Sequence, residues 1–451
     1  MKQWKRSMKG AAVIGLSTTL VFSAGAINGK KGEPGPPDHA NGKGEGPKAE
    51  EVENVIFMIP DGFSASYATN YRIYKDGEEP IWDDMLTGMI KTDSADNHVT
   101  DSAAAGTAMS SGEKTDNGMI GMSPEGESLE SILQKSGKEG KATGLVATST
   151  ITHATPAVFG ASVDNRDDEV SIAPQLIDNV DVLLGGGRNN FLPESEDGNQ
   201  PEENLIEQAE QDDYSYIETK EELEEAESDK LLGLFAEEEM APHMERPDEE
   251  PSLADMTDGA IDSLSQDEDG FFLMVEGSQI DWAGHAHDAA WAMSDTEAFE
   301  KSVEKAIEFA EEDGETLVVI AGDHDTGGMS TGGYDEYKAN PEILRDVSAT
   351  GDKMAAELND KRSNAAEVLE QYADISPSDK EISRIEEAED PALEINSIVS
   401  EHAYVGWSTS QHSGTDVQLY AYGPSSDLFN GLLDNTDLPK QMAEAMNIDW
   451  D

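Results

Sequence analysis

The chain reads as an α/β protein: a central, mostly parallel sheet flanked by helices in a three-layer sandwich. Three observations predict this. Short apolar runs bounded by Gly, Pro or Asp recur at 54–59, 142–148, 180–184, 271–275, 316–321 and 417–422, the length and composition of buried strands. Between two of them, residues 295–313 place Phe299, Val303, Ala306, Ile307 and Ala310 on one helical face, so that 271–321 is a strand–helix–strand unit typical of a parallel sheet. Finally, Asp61, His153, Glu276, Asp323 and His324 all fall just past the end of such a run. In open α/β sheets, ligands gather outside the carboxyl ends of the strands.

The elements follow in order. The run 54–59 enters Pro60-Asp61-Gly62. Thr100-Asp101-Ser102 precedes an Ala-rich stretch, the pattern of a helix N-terminus. Residues 128–135 read as a short amphipathic helix, 142–148 as a strand leading to Thr152-His153-Ala154-Thr155-Pro156, and 180–184 as a strand closed by three glycines. Residues 194–250 carry 23 acidic and three basic side chains; only 214–217 and 231–235 look able to pack, so the segment reads as a peripheral insertion. The strand 271–275 delivers Glu276, then Asp281 and His285, which one helical turn would set on a common face. The strand 316–321 runs into Gly322-Asp323-His324-Asp325. Residues 331–400 are mixed and polar, with helical stretches near 352–358 and 365–372, and read as a second insertion. His412-Ser413-Gly414 leads into the last strand.

Composition narrows the function. With 95 acidic against 30 basic residues the net charge is −65, which argues strongly against nucleic acid as a partner because phosphate backbones need Lys and Arg. A folded core under an acidic surface suits high salt, where self-repulsion is screened, and a halophilic source is the expectation. Cysteine is absent, so any metal must be held by His and carboxylates. At the N-terminus, Lys2, Lys5, Arg6 and Lys9 precede a short apolar stretch and Ala24-Gly25-Ala26. This is the pattern of a signal peptide over 1–26, implying a secreted or extracytoplasmic protein with no membrane span once the signal is removed. Residues 27–52, rich in Gly, Pro, Lys and Glu, read as a flexible linker, and 53–451 as the catalytic domain.

Asp61, Glu276, Asp281, His285, Asp323, His324 and His412 could together fill two neighbouring three-ligand zinc sites. Two such ions about 4 Å apart can stabilise the attacking and leaving oxygens of a phosphoryl displacement. Ser102 is the candidate nucleophile, because the free N–H groups at a helix N-terminus favour an anion and a nearby metal can activate a serine without a histidine base. The planar fork of Arg166 suits a phosphate clamp.

These motifs resemble those of the secreted alkaline phosphatases over most of the chain: Pro60-Asp61-Gly62, Thr100-Asp101-Ser102-Ala103-Ala104-Ala105, Thr152-His153-Ala154-Thr155-Pro156, Glu276 through His285, Gly322-Asp323-His324 and His412-Ser413-Gly414. The match is weakest through 194–250 and 331–400. The resemblance implies that Asp281, His285 and His412 hold one Zn2+, and that Asp61, Asp323 and His324 hold a second. Asp61, Thr155 and Glu276, with His153 beside them, would form a third site that usually takes Mg2+. It further implies that Ser102 becomes a phosphoserine on small phosphate monoesters, that Arg166, oriented by Asp101, binds the phosphate, that a zinc-bound hydroxide releases the product, and that a homodimer is the assembly to expect. His153 and Trp282 stand where some members have Asp and Lys, and Ser413 where Thr is common.

Two other readings stay open on sequence alone. A phosphodiesterase or sulfatase could share the scaffold, although a sulfatase would place Pro and Arg shortly after its nucleophile, where this chain has Ala-Ala-Ala. An acidic extracellular cation-binding protein would leave Ser102 and Arg166 without a purpose. Among the remaining histidines, His287 could bind a metal only if its loop turned differently, His98 could shape the nucleophile motif and His402 could border the site, whereas His39 and His243 read as surface residues.

Overall fold

The computed structural model describes residues 52–75 and 77–450; the signal peptide expected over 1–26 and the linker expected over 27–52, apart from Val52, lie outside them. Ten strands form the central sheet: β1 (Asn54–Pro60), β2 (Leu86–Lys91), β3 (Ala142–Thr150), β4 (Val182–Gly186), β5 (Ser215–Ile217), β6 (Leu231–Leu234), β7 (Phe271–Gly277), β8 (Thr316–Ala321), and, beyond two small ribbons, β13 (Val417–Tyr422) and β14 (Gly431–Asp434). The ribbons pair β9 (Asp325–Thr326) with β12 (His412–Ser413), and β10 (Ser330–Thr331) with β11 (Val405–Gly406). The sheet order is β14-β2-β13-β8-β1-β7-β3-β4-β6-β5. Every pairing is parallel except those of β13, which runs against both its neighbours.

Burial on both faces explains why the strands read as unbroken apolar runs rather than alternating ones. On β1, Ile56 and Met58 join Val146, Leu273, Val275 and Ile320 on one face, where the helices Ala65–Tyr74, Leu253–Leu264 and Ala289–Asp313 pack. Val55, Phe57 and Ile59 join Leu145, Phe272, Met274 and Val319 on the other, under the helices Ser102–Ser111, Ala154–Gly160 and Glu169–Asn179. This is the three-layer α/β sandwich that the sequence predicts. Truncating a fully buried ring such as Phe57 or Phe272 to Ala would cost about 3–5 kcal/mol.

Several boundaries move for local reasons. The helix expected at 128–135 is Ile132–Lys138, because Ser131 and Gln134 form a capping box that fixes its start. The helix expected from 295 begins at Ala289, where Asp288 accepts from the N–H groups of Ala290 and Trp291. The strand expected at 180–184 is Val182–Gly186. The two apolar runs inside the acidic 194–250 segment become β5 and β6 and finish one edge of the sheet. Residues 331–400 hold four helices, Gly351–Ala356, Ala365–Ala373, Asp379–Glu387 and Pro391–Ala403, the last of which sends Ile395, Ile398 and Val399 into the core. No helix among the described residues is long and apolar enough to cross a membrane.

Candidate active site

Four consecutive strands, β8-β1-β7-β3, end side by side. Their register sets Ile59 beside Glu276, and Ala147 beside the same Glu276 on its other flank. The chain therefore leaves the sheet at one place with Asp61 from β1, Asp323 and His324 from β8, Glu276 from β7 itself, and His153 and Thr155 from β3. Gly62 is needed just there: its φ is +73°, a Cβ would lie 2.6 Å from Thr326 Oγ1, and its N–H donates to Asp323 Oδ1 at 3.0 Å.

Two ligand triads result. In one, His324 Nε2 lies 3.2 Å from Asp323 Oδ2 and 3.4 Å from Asp61 Oδ1, all three side chains being fully buried. In the other, the short helix Gln279–His285 carries Asp281 and His285 on one turn, 3.3 Å apart, and His412 comes from β12 to within 3.4 Å of Asp281 Oδ1. Within each triad the donor atoms lie within 4.8 Å of one another. The rings of His324 and His412 stack at 3.5 Å, so the triads adjoin. All three histidines turn Nε2 toward the triads and Nδ1 away: Nδ1 of His285 faces the Ser410 carbonyl at 2.8 Å, Nδ1 of His412 the Thr100 carbonyl at 2.9 Å, and Nδ1 of His324 the Thr326 hydroxyl at 3.2 Å. A carbonyl can only accept, so Nδ1 of His285 and of His412 carries a proton, and their Nε2 atoms, 3.1 Å apart, both face the Asp281 carboxylate. Two imidazole nitrogens and a carboxylate oxygen converging within 4.8 Å form a donor set that a cation fits.

The carboxylates give the same answer. Asp61 Oδ1, Asp323 Oδ2 and Glu276 Oε1 are enclosed and have no hydrogen-bond partner. Burial, then the carboxylates of Asp323, Asp281 and Glu276, push Asp61 well above the usual range. Burial likewise lifts Glu276 to about 7 and Asp323 to about 6. Burial acts on Asp281 too, but hydrogen bonds with His285 and His412 outweigh it and hold that carboxyl well below its ordinary value. Burial, then His412, keeps His324 neutral. Burial lowers His285 and His412 as well, but the Asp281 carboxylate outweighs it and raises both. With the orphaned buried oxygens, these imidazoles form a donor set suited to divalent cations once their protons are displaced.

Ser102 opens the helix Ser102–Ser111, and its Oγ lies 3.1 Å from His324 Nε2. Asp101 does two jobs with one carboxylate. Oδ1 accepts from Ala104 N–H at 2.9 Å and caps the helix, while Oδ2 accepts from Arg166 Nη1 at 3.0 Å. The other arm of Arg166 lies 3.2 Å from His153 Nε2, and the His153 ring stands edge-on to Trp282 at 5.8 Å. Burial, then Arg166, lowers His153 to about 3, so it is a neutral neighbour of the guanidinium. Thr155 Oγ1 donates to Asp61 Oδ2 at 3.4 Å, which sets Thr155, Asp61 and Glu276 together beneath the first triad.

A sequence model of the family described as alkaline phosphatase matches residues 52–448. The chain belongs to the alkaline phosphatase family. Alkaline phosphatase 3 of Bacillus subtilis (strain 168) is 38% identical over 470 aligned positions, covering 99% of this chain and 98% of that protein. Alkaline phosphatase 4 of the same organism is 40% identical over 409 positions, covering 86% and 87%. Among solved structures, the cold-active enzyme of a psychrophilic Shewanella sp. superposes with a TM-score of 0.80 at 32% identity, over 87% of this chain and 99% of that one. The Thermus thermophilus alkaline phosphatase gives 0.80 at 29% identity, over 89% and 92%. The activity class is accordingly phosphoric monoester hydrolysis.

For an alkaline phosphatase family member, sequence reasoning finds the charged residues of this site but misses those that hold them. Thr326 donates to Asp281 Oδ1 and meets His324, touching both triads. Asn117 accepts from the Asp101 N–H at 3.2 Å, and the next carbonyl, of Gly118, accepts from the Arg166 N–H at 2.8 Å. The carbonyls of Thr100 and Ser410 carry no sequence signal at all. Of the remaining histidines, His402 pairs with Glu381 at 2.9 Å, His98 is exposed, and His243 is partly buried, with burial lowering it to about 4. His39 lies outside the described residues.

Proposed function

We propose that the protein is a secreted alkaline phosphatase that cleaves small phosphate monoesters through a phosphoserine at Ser102. Asp281, His285 and His412 would hold one Zn2+; Asp61, Asp323 and His324 a second; and Asp61, Thr155 and Glu276, with His153 nearby, one Mg2+. The observation that carries this reading is the position of Ser102: at a helix N-terminus, 3.1 Å from a triad histidine, and capped by the Asp101 that also tethers Arg166.

When bound, the cations would supply counter-charge and Lewis acidity toward the phosphate oxygens. The chain's own residues do the rest. Arg166 offers N–H groups to two phosphate oxygens, and Asp101 fixes the plane of the guanidinium. The free N–H groups of the first helical turn face the same anion. Ser102 Oγ bonds to phosphorus as the ester P–O bond breaks and the alcohol departs. Water then opens the phosphoserine, restoring Ser102 and releasing inorganic phosphate.

The test is metal analysis of the purified protein joined to a phosphate-release assay after chelation and zinc restoration. We expect activity to vanish with the metal and return with zinc, and an aryl phosphate to be preferred over the bis-aryl phosphate; preference for the diester would replace this reading with a phosphodiesterase. The net charge of −65 supports a salt-adapted surface. Stability and turnover should then hold or rise in molar salt, and full stability in low-salt buffer would remove that part of the proposal.

A further inference from the structure

His287 is a histidine that neither metal triad uses. It follows the helix Gln279–His285 by two residues, with a backbone φ of +52° in the left-handed region that favours glycine and asparagine. Its ring lies nearly flat on Trp407, with centroids 5.1 Å apart and planes 10° from parallel. Its Nε2–H donates to the Thr409 carbonyl at 2.7 Å. The circuit then closes on itself: Trp407 Nε1–H donates to Ser400 Oγ at 3.0 Å, and Ser400 Oγ–H donates to the His287 carbonyl at 3.2 Å. Ser400 is fully buried on the helix Pro391–Ala403, whose Asn396 also donates to the Ala286 carbonyl at 3.0 Å.

What this circuit holds is the segment 407–411. The same segment presents the Ser410 carbonyl to His285 Nδ1 and then becomes His412, so it fixes the tautomer of one ligand and the position of another. It is also attached by Ser408 Oγ–H, which donates to the Gly328 carbonyl, and by the Trp407 ring, which stands edge-on to Tyr67. Backbone bonds add to these: Ser408 and Thr409 N–H donate to the Gly327 carbonyl, and Gly327 N–H donates to the Gln411 carbonyl. Gly327 leaves room for this, because a Cβ there would sit 2.6 Å from the Trp407 ring. His287 and Trp407 therefore tie the helix that carries Asp281 and His285 to the loop that carries His412.

Taking the ligand assignment proposed above as given, we propose that His287 is a positioning residue for the Asp281–His285–His412 metal site. It sets how tightly that site holds its ion without touching the ion, by clamping the 407–411 loop against the end of the ligand helix. Groups that orient metal ligands from outside the coordination sphere typically govern about 10–100-fold in affinity.

The test follows zinc release from the fully loaded protein to a chelating dye, with each site expected to give its own phase. His287→Gly keeps the left-handed backbone free of strain and removes only the ring. One phase should quicken by about 10–100-fold, the other should hold its rate, and the melting temperature in excess zinc should stay near the parent's. Trp407→Phe keeps an aromatic ring but loses the bond to Ser400; it should quicken the same phase by less, and it carries the test if His287→Gly does not fold. The shape of the visible spectrum of the Co2+-loaded protein should be unchanged in both variants. Parental release rates in Trp407→Phe and His287→Gly would overturn the proposal, as would equal acceleration of both phases. A changed Co2+ ligand field would overturn it too, by making His287 a ligand. A parent protein that binds no zinc at this triad would instead refute the ligand assignment itself.

Discussion

The two triads are built on different foundations. Asp61, Asp323 and His324 stand directly past β1 and β8, strands that neighbour each other in the middle of the sheet and are buried on both faces. Asp281 and His285 ride on a seven-residue helix, and His412 on a two-residue ribbon paired only with β9. The His285 side chain is 33% exposed, whereas that of His324 is wholly enclosed. The first triad takes its geometry from the hydrophobic core, which is close-packed and resists displacement. The second takes it from polar contacts with loops: the carbonyls of Thr100 and Ser410, and the hydroxyl of Thr326. The core-borne triad should be the more rigid and the slower to release an ion, and the loop-borne triad the place where affinity can be tuned.

The largest effect should come from the residue that depends on the core-borne triad. Ser102→Ala removes the oxygen beside His324 but leaves the Asp101 cap and every metal ligand in place. Turnover should fall at least ~10³-fold, with both zinc ions retained on metal analysis. A variant keeping a tenth of parental turnover would mean that the nucleophile lies elsewhere.

The same contrast explains what could be read in advance. The core-borne triad was legible because a ligand directly past a buried strand inherits that strand's signal: the apolar runs 54–59 and 316–321 point at Asp61 and Asp323 without any knowledge of the fold. Asp281 and His285 were legible through their four-residue spacing. His412 had no such local mark, since its position depends on a ribbon of two residues and on contacts with segments more than a hundred residues away. Thr326, Asn117 and His287 act through a hydroxyl, an amide and a stacked ring, residue types too common for a pattern to single out. The apolar run 231–235 stands out even inside the acidic segment, whereas in the polar segment 331–400 high charge on an exposed face masks the buried positions. The four-residue β6 is entirely buried, and Ile395 and Ile398 lie in the core.

A smaller effect should appear when the metals are removed. In the metal-free protein Glu276 titrates near 7 and Asp323 near 6, both lifted by burial above ordinary values of 4.5 and 3.8. A carboxyl raised in the folded state contributes stability that is complete below its unfolded pKa and is lost as pH climbs through the folded one. These two carboxyls should therefore lower the chelated protein's melting temperature as pH rises from about 4 to about 7. Against them stand the neutral His153, His243 and His324, which burial lowers and which act in the opposite sense over that range. Asp281 acts in the opposite sense: held well below its ordinary value, it contributes stability above about pH 4 that is lost on acidification. Bound cations would ionise the core-borne carboxylates and cancel the first trend, so the loaded protein should show no such decline. Melting curves of the chelated parent and of chelated Glu276→Gln between about pH 4 and 8 decide the matter. The parent should lose stability relative to the variant as pH rises, and a parent that gains on it toward about pH 8 would contradict the Glu276 contribution.

The finest probe is the residue that touches both triads. A hydroxyl has one proton to donate and lone pairs to accept with. Thr326 donates to Asp281 Oδ1 and stands ready to accept from His324 Nδ1–H, so one oxygen orients a ligand on each side. Its backbone is already fixed, with the N–H donating to the Gly62 carbonyl at 3.1 Å and the carbonyl accepting from Tyr67 Oη–H at 2.7 Å. Thr326→Val keeps the β-branched shape and the strand while deleting that oxygen. Losing one net hydrogen bond costs about 1–1.5 kcal/mol, or about 10-fold in an equilibrium constant. Zinc affinity should drop by that amount at both sites, and Thr326→Ser should restore it. If only the loop-borne site weakens, the core alone fixes His324, and the contrast between the two triads is sharper than their shared hydroxyl suggests. If both weaken alike, the triads are coupled through this single oxygen, and the rigidity of one is partly lent to the other.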